Sequence, residues 1–250
     1  MKNTPVGDLL FGVHPVHQAL VAGRRHVKKI YIAAHRKERA TMPLSRLADQ
    51  HDVPVEVVSA GFFNSRLRGM VHQGVAAEVG DLPFVDGETV LAVAKKAGVL
   101  PLILALDGIV DPQNLGSLVR SAKALGVHGV VLPKDRCAPL SAVTSKASAG
   151  AMEHMHFVRV PNMVSTLKGF KKQGCWVAGA TASAGLPANQ ADLNGALVLV
   201  LGGEEKGIRP LVQKTCDFLI SVPQVAEIDS LNAAVAGAIV MYEAMRQRRT

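Results

Sequence analysis

The chain has 250 residues, a formal net charge of +8 and a hydrophobic content of 48%. A packed core is therefore expected, and disorder over most of the chain is excluded. Aromatic residues make up only 4% of the sequence, which argues against recognition of nucleic acid by stacking bases on aromatic platforms.

Positive charge is spread over both large parts of the chain. Residues 1–80 carry 11 Lys and Arg against 6 Asp and Glu, and residues 101–250 carry 15 against 11. This distribution fits a polyanionic partner such as RNA. Many soluble proteins are mildly basic without binding nucleic acid, however, so the charge alone does not decide. The cysteines, Cys137, Cys175 and Cys216, lack metal-ligand spacing and are typical of a reducing cytoplasm.

Neither a signal peptide nor a membrane span is expected. The N-terminal segment lacks the long apolar run of a signal peptide, and no stretch approaches the ~18 uninterrupted apolar residues of a spanning helix. The sequence thus predicts a cytoplasmic protein with no membrane partner and no metal.

The first part of the chain predicts a small α/β domain over residues 1–80. Its strand candidates combine β-branched residues with alternation, and its helix candidates have apolar residues at helical spacing. Strands are expected at 27–33, 53–59 and 74–79, and helices at 15–22, 38–50 and 62–67. Residues 81–100 are predicted to be a linker, in which 89–97 could form a helix leading into the second part.

The second part, residues 101–250, predicts an open α/β domain with a parallel sheet, because continuous apolar runs suit strands covered on both faces. Strands are expected at 101–106, 127–132, 156–160, 176–181, 196–201 and 218–222, and helices at 115–125, 163–173, 210–215 and 231–246. The last helix offers more apolar surface than a small domain can cover, which favours a homodimer unless that face packs within its own domain. The residues concerned are Leu231, Val235, Ile239 and Met241.

Three loops that follow apolar strands contain candidate site residues, since ligands of open α/β sheets bind at the carboxyl ends of the strands. In the first loop Asp111 starts a turn, Asn114 is a candidate N-cap, and Gly116 and Arg120 share one helical face. Arg120 could hold a phosphate through two hydrogen bonds. A cap, a packing glycine and a solvated arginine would explain the same residues without a ligand.

The second loop, residues 197–210, is a glycine-rich turn that would let backbone amides approach a ligand. Gly202 and Gly207 have the separation of a phosphate-binding loop, but the Lys and Ser or Thr that complete it are missing, and no dinucleotide fingerprint is present. A small-molecule ATP or NAD enzyme is therefore disfavoured. Tight-turn glycines with no ligand remain the alternative.

The third loop, residues 220–240, precedes the apolar final helix. Ser230 could cap this helix, with Asn232 just inside it. A polar Asn within an apolar turn is unusual unless it bonds to something specific, although an ordinary loop and N-cap would also fit.

Together, in this order, the three loops resemble the signature motifs of the SpoU family of RNA 2′-O-ribose methyltransferases, within the SPOUT superfamily. The matching residues are Asn114, Gly116 and Arg120, then Gly202, Glu204 and Gly207, and finally Ser230, Leu231 and Asn232. The first part is similar to the ribosomal-protein-like RNA-binding domain of bacterial 23S rRNA guanosine-2′-O-methyltransferases. That similarity lies in FGVHPVHQAL at 11–20 and HQGVAAEV at 72–79.

The resemblance implies a catalytic domain with a deep trefoil knot and a homodimer whose active site forms near the subunit interface. It implies methyl transfer from S-adenosylmethionine to a ribose 2′-hydroxyl of structured RNA, with a guanosine of 23S rRNA as the expected target. The cofactor would contact Gly202, Gly203, Gly207, Val222 and Leu231. The reaction would depend on Asn114, Arg120, Glu204, Ser230 and Asn232.

Each of these residues has an expected role. Arg120 would stabilise developing charge or anchor a phosphate, because a guanidinium is hardly ever deprotonated in proteins. Asn114 would orient the ribose or Arg120, and Glu204 would order the knot loops. Ser230 and Asn232 would position the cofactor and the target ribose.

A second interpretation is a non-catalytic RNA-binding protein with a degenerate cofactor pocket. It is motivated by Gln224, Ala226 and Ala234, which replace residues usual in the third motif of the family. The presence of Asn114 and Arg120 with the other catalytic residues argues against it, because a pure binder has no need of the full set.

Overall fold

The structure, a computed structural model, describes residues 9–36, 38–204, 206–225 and 231–249. Ser230 and Ala226, two residues singled out in the sequence, lie outside this description. The chain divides into two compact units. The first contains the chain up to Pro83 together with Pro139–His154, and the second contains Phe84–Ala138 and Met155–Thr250.

Strands and helices alternate along most of the chain. The strands are β1 (Leu9–Phe11), β2 (Val27–Ala33), β3 (Val55–Val58), β4 (Val75–Val79), β5 (Leu102–Asp107), β6 (Gly129–Pro133), β7 (Phe157–Val160), β8 (Trp176–Ala180), β9 (Leu197–Gly202) and β10 (Phe218–Ile220). The helices are α1 (Val13–Ala22), α2 (Glu38–Gln50), α3 (Ala60–Arg66), α4 (Gly87–Lys96), α5 (Pro112–Ala124), α6 (Ala142–Ala147), α7 (Met163–Lys172), α8 (Pro210–Gln213) and α9 (Ala233–Gln247). No helix in the described ranges is long and apolar enough to cross a membrane.

The first unit is built on a mixed four-stranded sheet in the order β1-β4-β2-β3. Strand β2 pairs parallel with β3 and antiparallel with β4, and β4 pairs antiparallel with β1. The sequence predicts β2 with the observed bounds. It does not predict β1, because three residues are too few to show a period.

A segment from the second half of the sequence belongs to this first unit. Residues 139–154, with α6 and a 3₁₀ turn, follow β6 of the second unit. The sequence assigned them to the second domain, predicted over residues 101–250. Here Glu153, whose side chain is fully buried, accepts hydrogen bonds from Arg25 at 2.7 and 2.7 Å and from Ser145 at 2.9 Å. A buried carboxylate needs such partners, so the segment is held by a specific long-range contact that sequence periodicity does not reveal.

The second unit contains a six-stranded, all-parallel sheet in the order β10-β8-β9-β5-β6-β7. Helices α4, α7 and α8 pack on one face through residues such as Val90, Leu167 and Val212. Successive strand residues point to opposite faces, so Leu201 lies on the other face from Val200. That face is covered by α9, whose Gly237 lies so close to Leu201 that a methyl group there would approach within 2.5 Å.

The range predicted as a linker, 81–100, is largely part of this second unit. Phe84 forms a parallel bridge with Phe157, and the amide of Val85 donates to the carbonyl of Phe157 at 2.8 Å. Helix α4 buries Val90 completely. Turn residues at 81–87 suggested a connection, but the following helix covers the sheet.

Candidate active site

Three loops of the second unit converge beyond the carboxyl ends of its strands. Strands β5 and β9 are neighbours in register, with Asp107 paired to Gly202. Helix α5 begins after β5 with Asp111 as its N-cap, whose carboxylate accepts from the amides of Gln113 at 3.2 Å and Asn114 at 3.0 Å. Asn114 is therefore not the cap that the sequence suggested. Its side chain is free to reach the other two loops.

A chain of hydrogen bonds joins these three loops. The Oδ1 of Asn232 caps α9 by accepting from the amides of Ala234 at 2.9 Å and Val235 at 3.3 Å. Asn232 Nδ2 then donates to Asn114 Oδ1 at 3.0 Å, and Asn114 Nδ2 donates to Glu204 Oε1. One residue from each predicted motif thus takes part in a single network.

Backbone amides determine which side-chain atom donates and which accepts at each step of this hydrogen-bond network. Side-chain amide oxygens and nitrogens are normally distinguished by their partners. The backbone amides at the start of α9 can only donate, so Asn232 must present its oxygen to them and its nitrogen to Asn114. Asn114 must then point its own nitrogen at the Glu204 carboxylate. The arrangement fixes the loop between β9 and α8 against the starts of α5 and α9.

Two glycines of the second loop, Gly202 and Gly203, are required by close backbone packing, whereas Gly207 has a left-handed backbone with φ +57°. The Gly203 amide donates to the Asp107 carbonyl at 3.1 Å, and the Gly207 amide donates to the Gly203 carbonyl at 2.9 Å. A methyl group on Gly202 would lie 2.0 Å from the Gly207 carbonyl carbon, and one on Gly203 would lie 2.2 Å from the carbonyl oxygen of Gly108. Backbone packing therefore forbids side chains at Gly202 and Gly203, whatever ligand the loop holds.

A cavity of about 210 Å³ opens beside this loop; we call it the cofactor cavity. All five residues predicted to bind the cofactor line it: Gly202, Gly203, Gly207, Val222 and Leu231. Among the described residues of its wall, Glu204 is the one charged side chain, and the rest are mainly glycine, alanine and aliphatic residues. Exposed glycine backbone and apolar walls suit an adenosine and a thioether chain, so the residues present fit S-adenosylmethionine.

The residues that depart from the family's third motif differ in whether they line this cavity. Gln224 lines it, whereas Ala234 is buried in the first turn of α9 and contributes its amide to the Asn232 cap. Ala226 lies outside the described residues. At Ala234 the backbone amide takes part in the network, and that contact survives any change of side chain.

Arg120 is not joined to this network. It is exposed on α5 and, in the described part of the chain, makes no hydrogen bond or ion pair. It lies six residues beyond Asn114, and at 3.6 residues per turn the two side chains leave the helix about 120° apart. The expected orientation of Arg120 by Asn114 is therefore not seen within one chain.

Asp107 and Arg209 form an ion pair that the sequence analysis missed. The fully buried Asp107 carboxylate accepts from Arg209 Nε at 2.8 Å, Nη2 at 2.6 Å and the backbone amide at 2.9 Å. Hydrogen bonding to this carboxylate raises the pKa of Arg209 above its ordinary value. A lone Asp at the end of the apolar run LILALD was the available signal, since a buried carboxylate requires partners.

The basic C-terminal residues make intramolecular contacts. Arg248 donates to the carbonyl oxygens of Leu193 at 3.2 Å, Leu100 at 3.0 Å and Pro101 at 3.2 Å, and Arg246 pairs with Glu243 at 2.8 Å. These contacts give both arginines a structural role. Within the described ranges, no three His, Cys, Asp or Glu side chains cluster as metal ligands.

Two family models match the chain. Residues 101–242 match the SpoU rRNA Methylase family, and residues 9–85 match the model named RNA 2′-O ribose methyltransferase substrate binding. The 23S rRNA (guanosine-2′-O-)-methyltransferase RlmB of Pseudomonas putida is 39% identical over 243 residues, covering 97% of each chain. RlmB of Escherichia coli is 33% identical over 251 residues, covering 97% of this chain and all of its own.

Solved structures show the same fold. The SpoU methyltransferase AviRb from Streptomyces viridochromogenes, in complex with AdoMet, has a TM-score of 0.79 at 23% identity and covers 96% of this chain and 90% of its own. A putative RNA methyltransferase of the TrmH family from Porphyromonas gingivalis has a TM-score of 0.75 at 29% identity, covering 97% and 90%. The predicted α/β architecture with a parallel catalytic sheet is thereby confirmed.

Proposed function

The chain belongs to the SpoU rRNA methylase family, and we propose that it transfers a methyl group from S-adenosylmethionine to the ribose 2′-hydroxyl of a guanosine in 23S rRNA. The near full-length similarity to RlmB proteins supports this target. The observation that carries the proposal is the Asn232–Asn114–Glu204 network, which borders a cavity lined by the predicted cofactor residues.

When bound, S-adenosylmethionine supplies a methyl group on a sulfonium sulfur. The cofactor cavity would hold it through the backbone of Gly202, Gly203 and Gly207 and through the side chains of Val222 and Leu231. The loop that carries these glycines is fixed at Asp107 and, through Glu204, at Asn114. A preorganised loop lowers the ordering cost of binding.

Arg120 would act on the RNA. A ribose hydroxyl is a poor nucleophile, so negative charge that develops on its oxygen must be stabilised. A guanidinium keeps its proton in proteins, so Arg120 would stabilise that charge or anchor the neighbouring phosphate and would not serve as the base. Ser230, by resemblance, would help Asn232 to position the cofactor and ribose.

The first unit would supply target affinity and no chemistry. It contains all but the last two of residues 9–85, the range that matches the substrate-binding model. Residues 1–80 carry 11 basic residues against 6 acidic ones. The three catalytic motifs lie outside it. The protein would act in the cytoplasm, where ribosomal RNA is found.

A homodimer is part of this proposal. On α9 the side chains of Val235, Ile239 and Tyr242 are 49%, 41% and 54% exposed, and their spacing places them on one face. Met241, which the sequence analysis grouped with this face, is fully buried within the unit. An exposed apolar stripe of this kind suits a two-fold interface, and the family resemblance implies an active site near such an interface. The trefoil knot implied by the resemblance remains a prediction.

The proposal is tested by mapping 2′-O-methyl groups in 23S rRNA from a strain that lacks the gene, with re-expression of the protein as the control. Loss of one guanosine methyl group and its return on re-expression is the expected result. Calorimetry with S-adenosylmethionine separates the alternative, a non-catalytic RNA-binding protein. No binding of the cofactor and no change in rRNA methylation would contradict the enzyme.

A further inference from the structure

A second depression, distinct from the cofactor cavity, is lined by α7 and α8 and by residues next to these helices. It has a volume of about 860 Å³, and we call it the basic groove. Lys168, Lys171, Arg209 and Lys214 line it, and the buried side chains of Met163 and Val212 contribute apolar surface. None of the residues that form its described wall is acidic. The groove is therefore a strip of cationic side chains over an apolar base.

Of the four cations of the basic groove, two are bound to carboxylates and two are not. Lys171 is bound to Asp217 at 2.7 Å, and Arg209 is bound to Asp107, so these charges are balanced by carboxylates outside the lining. Lys168 and Lys214 are exposed and make no hydrogen bond or ion pair to any residue that the structure describes. Two positive charges in the groove thus lack a protein partner and attract an anion.

Arg209 links the basic groove to the loop between β9 and α8. It ends the loop whose residues Gly202, Gly203 and Gly207 line the cofactor cavity. Two of its guanidinium nitrogens contact Asp107, and Nη1 makes no hydrogen bond to the described residues. The pair fixes the position of this guanidinium at the wall of the groove, a short distance along the chain from Glu204.

We propose that the basic groove binds the phosphodiester backbone of the RNA substrate next to the target nucleotide, with Lys168 and Lys214 as its main phosphate contacts. This inference rests on the proposed function for the identity of the RNA. Phosphate contacts set the register and orientation of a nucleic acid without reading its sequence. The groove would hold the strand beside the loop that carries Glu204.

The chemistry of the groove favours a polymer over a small anion. A site for a free nucleotide concentrates a few buried donors around one phosphate. Here the unpaired cations are exposed lysines on flexible stems, which act as point charges and suit successive phosphates of a chain. The scarcity of aromatic side chains, 4% of the sequence, agrees with contacts to the backbone and not to stacked bases.

The test compares two double variants with the same change in charge. Lys168→Glu/Lys214→Glu alters the groove, and Lys96→Glu/Lys172→Glu alters exposed lysines of α4 and α7 that do not line it. The affinity of each for an unmodified 23S rRNA transcript is measured against salt concentration. Single-turnover methylation at saturating transcript and calorimetry with S-adenosylmethionine are measured in parallel.

The groove variant should bind the transcript at least ten times more weakly, and the slope of log K against log salt should fall by about 1.4–1.8, as expected for two lost phosphate contacts. Its saturated methylation rate and cofactor affinity should match wild type, and the control variant should lose much less. Equal losses in both variants, or none in the groove variant, would overturn the proposal.

Two further outcomes separate the possibilities. Guanosine 5′-monophosphate added at constant ionic strength should not displace the transcript, and displacement would identify a small-anion site and refute an RNA groove. If the wild-type protein binds the transcript but transfers no methyl group, the proposed function fails. The role of the groove would then still be supported by the weaker, less salt-dependent binding of its variant.

Discussion

The cofactor cavity and the basic groove border the same loop, yet they are built in opposite ways. The cavity is small, about 210 Å³, and is lined by glycine backbone and short apolar side chains. The groove is about 860 Å³ and is lined by long cations. Backbone groups would hold one ligand in a defined position, whereas lysine side chains tolerate many positions of a polyanion. We therefore expect the cavity to serve the methyl-transfer reaction and the groove to serve affinity for RNA.

This division predicts that the two surfaces respond differently to substitution. Changes in the loop that forms the cavity should alter cofactor binding and rate, because close backbone packing leaves no room for added atoms. Changes at the groove should alter RNA affinity alone. Arg120 lines neither depression, so it offers the strongest test of whether the catalytic step can be separated from both.

The largest effect is expected for Arg120→Ala. If Arg120 stabilises charge on the ribose or its phosphate, its loss should cost on the order of 2.7–4 kcal/mol, or about 10²–10³ in rate. Affinity for S-adenosylmethionine should stay close to wild type, because Arg120 does not line the cofactor cavity. Single-turnover methylation beside calorimetric titration of the cofactor measures both quantities.

Arg120→Lys serves as the companion variant. It keeps the charge but loses the planar fork of the guanidinium, so it should not restore the rate. Turnover near the wild-type level in Arg120→Ala would end this mechanism. A joint fall of stability, cofactor binding and rate would instead assign Arg120 to the fold.

A smaller loss is expected for Gly203→Ala. The added methyl group would lie 2.2 Å from the carbonyl oxygen of Gly108, and overpacking of this kind typically costs about 1–3 kcal/mol. If the loop shifts to relieve the contact, the affinity for S-adenosylmethionine should fall roughly 5- to 150-fold. Calorimetry detects this change. Unaltered salt dependence of transcript binding would show that the basic groove stays intact, and a parallel loss of RNA affinity would contradict the division.

Asn232→Asp is expected to have a more modest effect on rate. Aspartate caps helices as well as asparagine does, so the start of α9 should remain. The hydrogen bond to Asn114 would be replaced by two facing oxygens, which removes a contribution of about 0.5–1.5 kcal/mol. Methylation should slow by roughly 2- to 13-fold. Thermal unfolding checks that the loss of stability does not exceed about 1.5 kcal/mol, so that the variant stays folded. A rate equal to wild type would show that the network has no role in catalysis.

The sequence predicted those features that depend on local pattern. Strand β2 and the apolar strand β9 follow from β-branched runs, and the placement of candidate loops follows from parallel strands ending at one edge. The helix caps were misassigned by a few residues, because Asp111 and Asn232 compete with equally suitable neighbours. Local propensity does not distinguish such neighbours.

The features that escaped prediction join residues far apart in the chain. Arg25 and Glu153 are separated by 128 positions, Asp107 and Arg209 by 102, and Asn114 and Asn232 by 118. The periodicity of apolar residues along a sequence does not indicate contacts over such separations. The first of these pairs helps to hold residues 139–154 in the first unit, and the second anchors the end of the loop between β9 and α8 to β5.

The smallest effect, and one of opposite sign, is expected for Gly169→Ala on α7, the helix that carries Lys168 and Lys171. A methyl group on Gly169 would meet no atom within 4 Å, and the residue has no left-handed backbone conformation. Alanine should therefore stabilise the protein by about 0.4–1 kcal/mol, because it reduces the conformational freedom of the unfolded chain. That gain corresponds to a rise in the melting temperature of roughly 1–4 °C. Calorimetry measures the unfolding, and filter binding should show unchanged affinity for the transcript. The same substitution, glycine to alanine, would then harm the tightly packed loop at Gly203 and benefit the helix beside the groove. A fall in stability at Gly169 would show that α7 is as constrained as the cavity and would remove the contrast between the two surfaces.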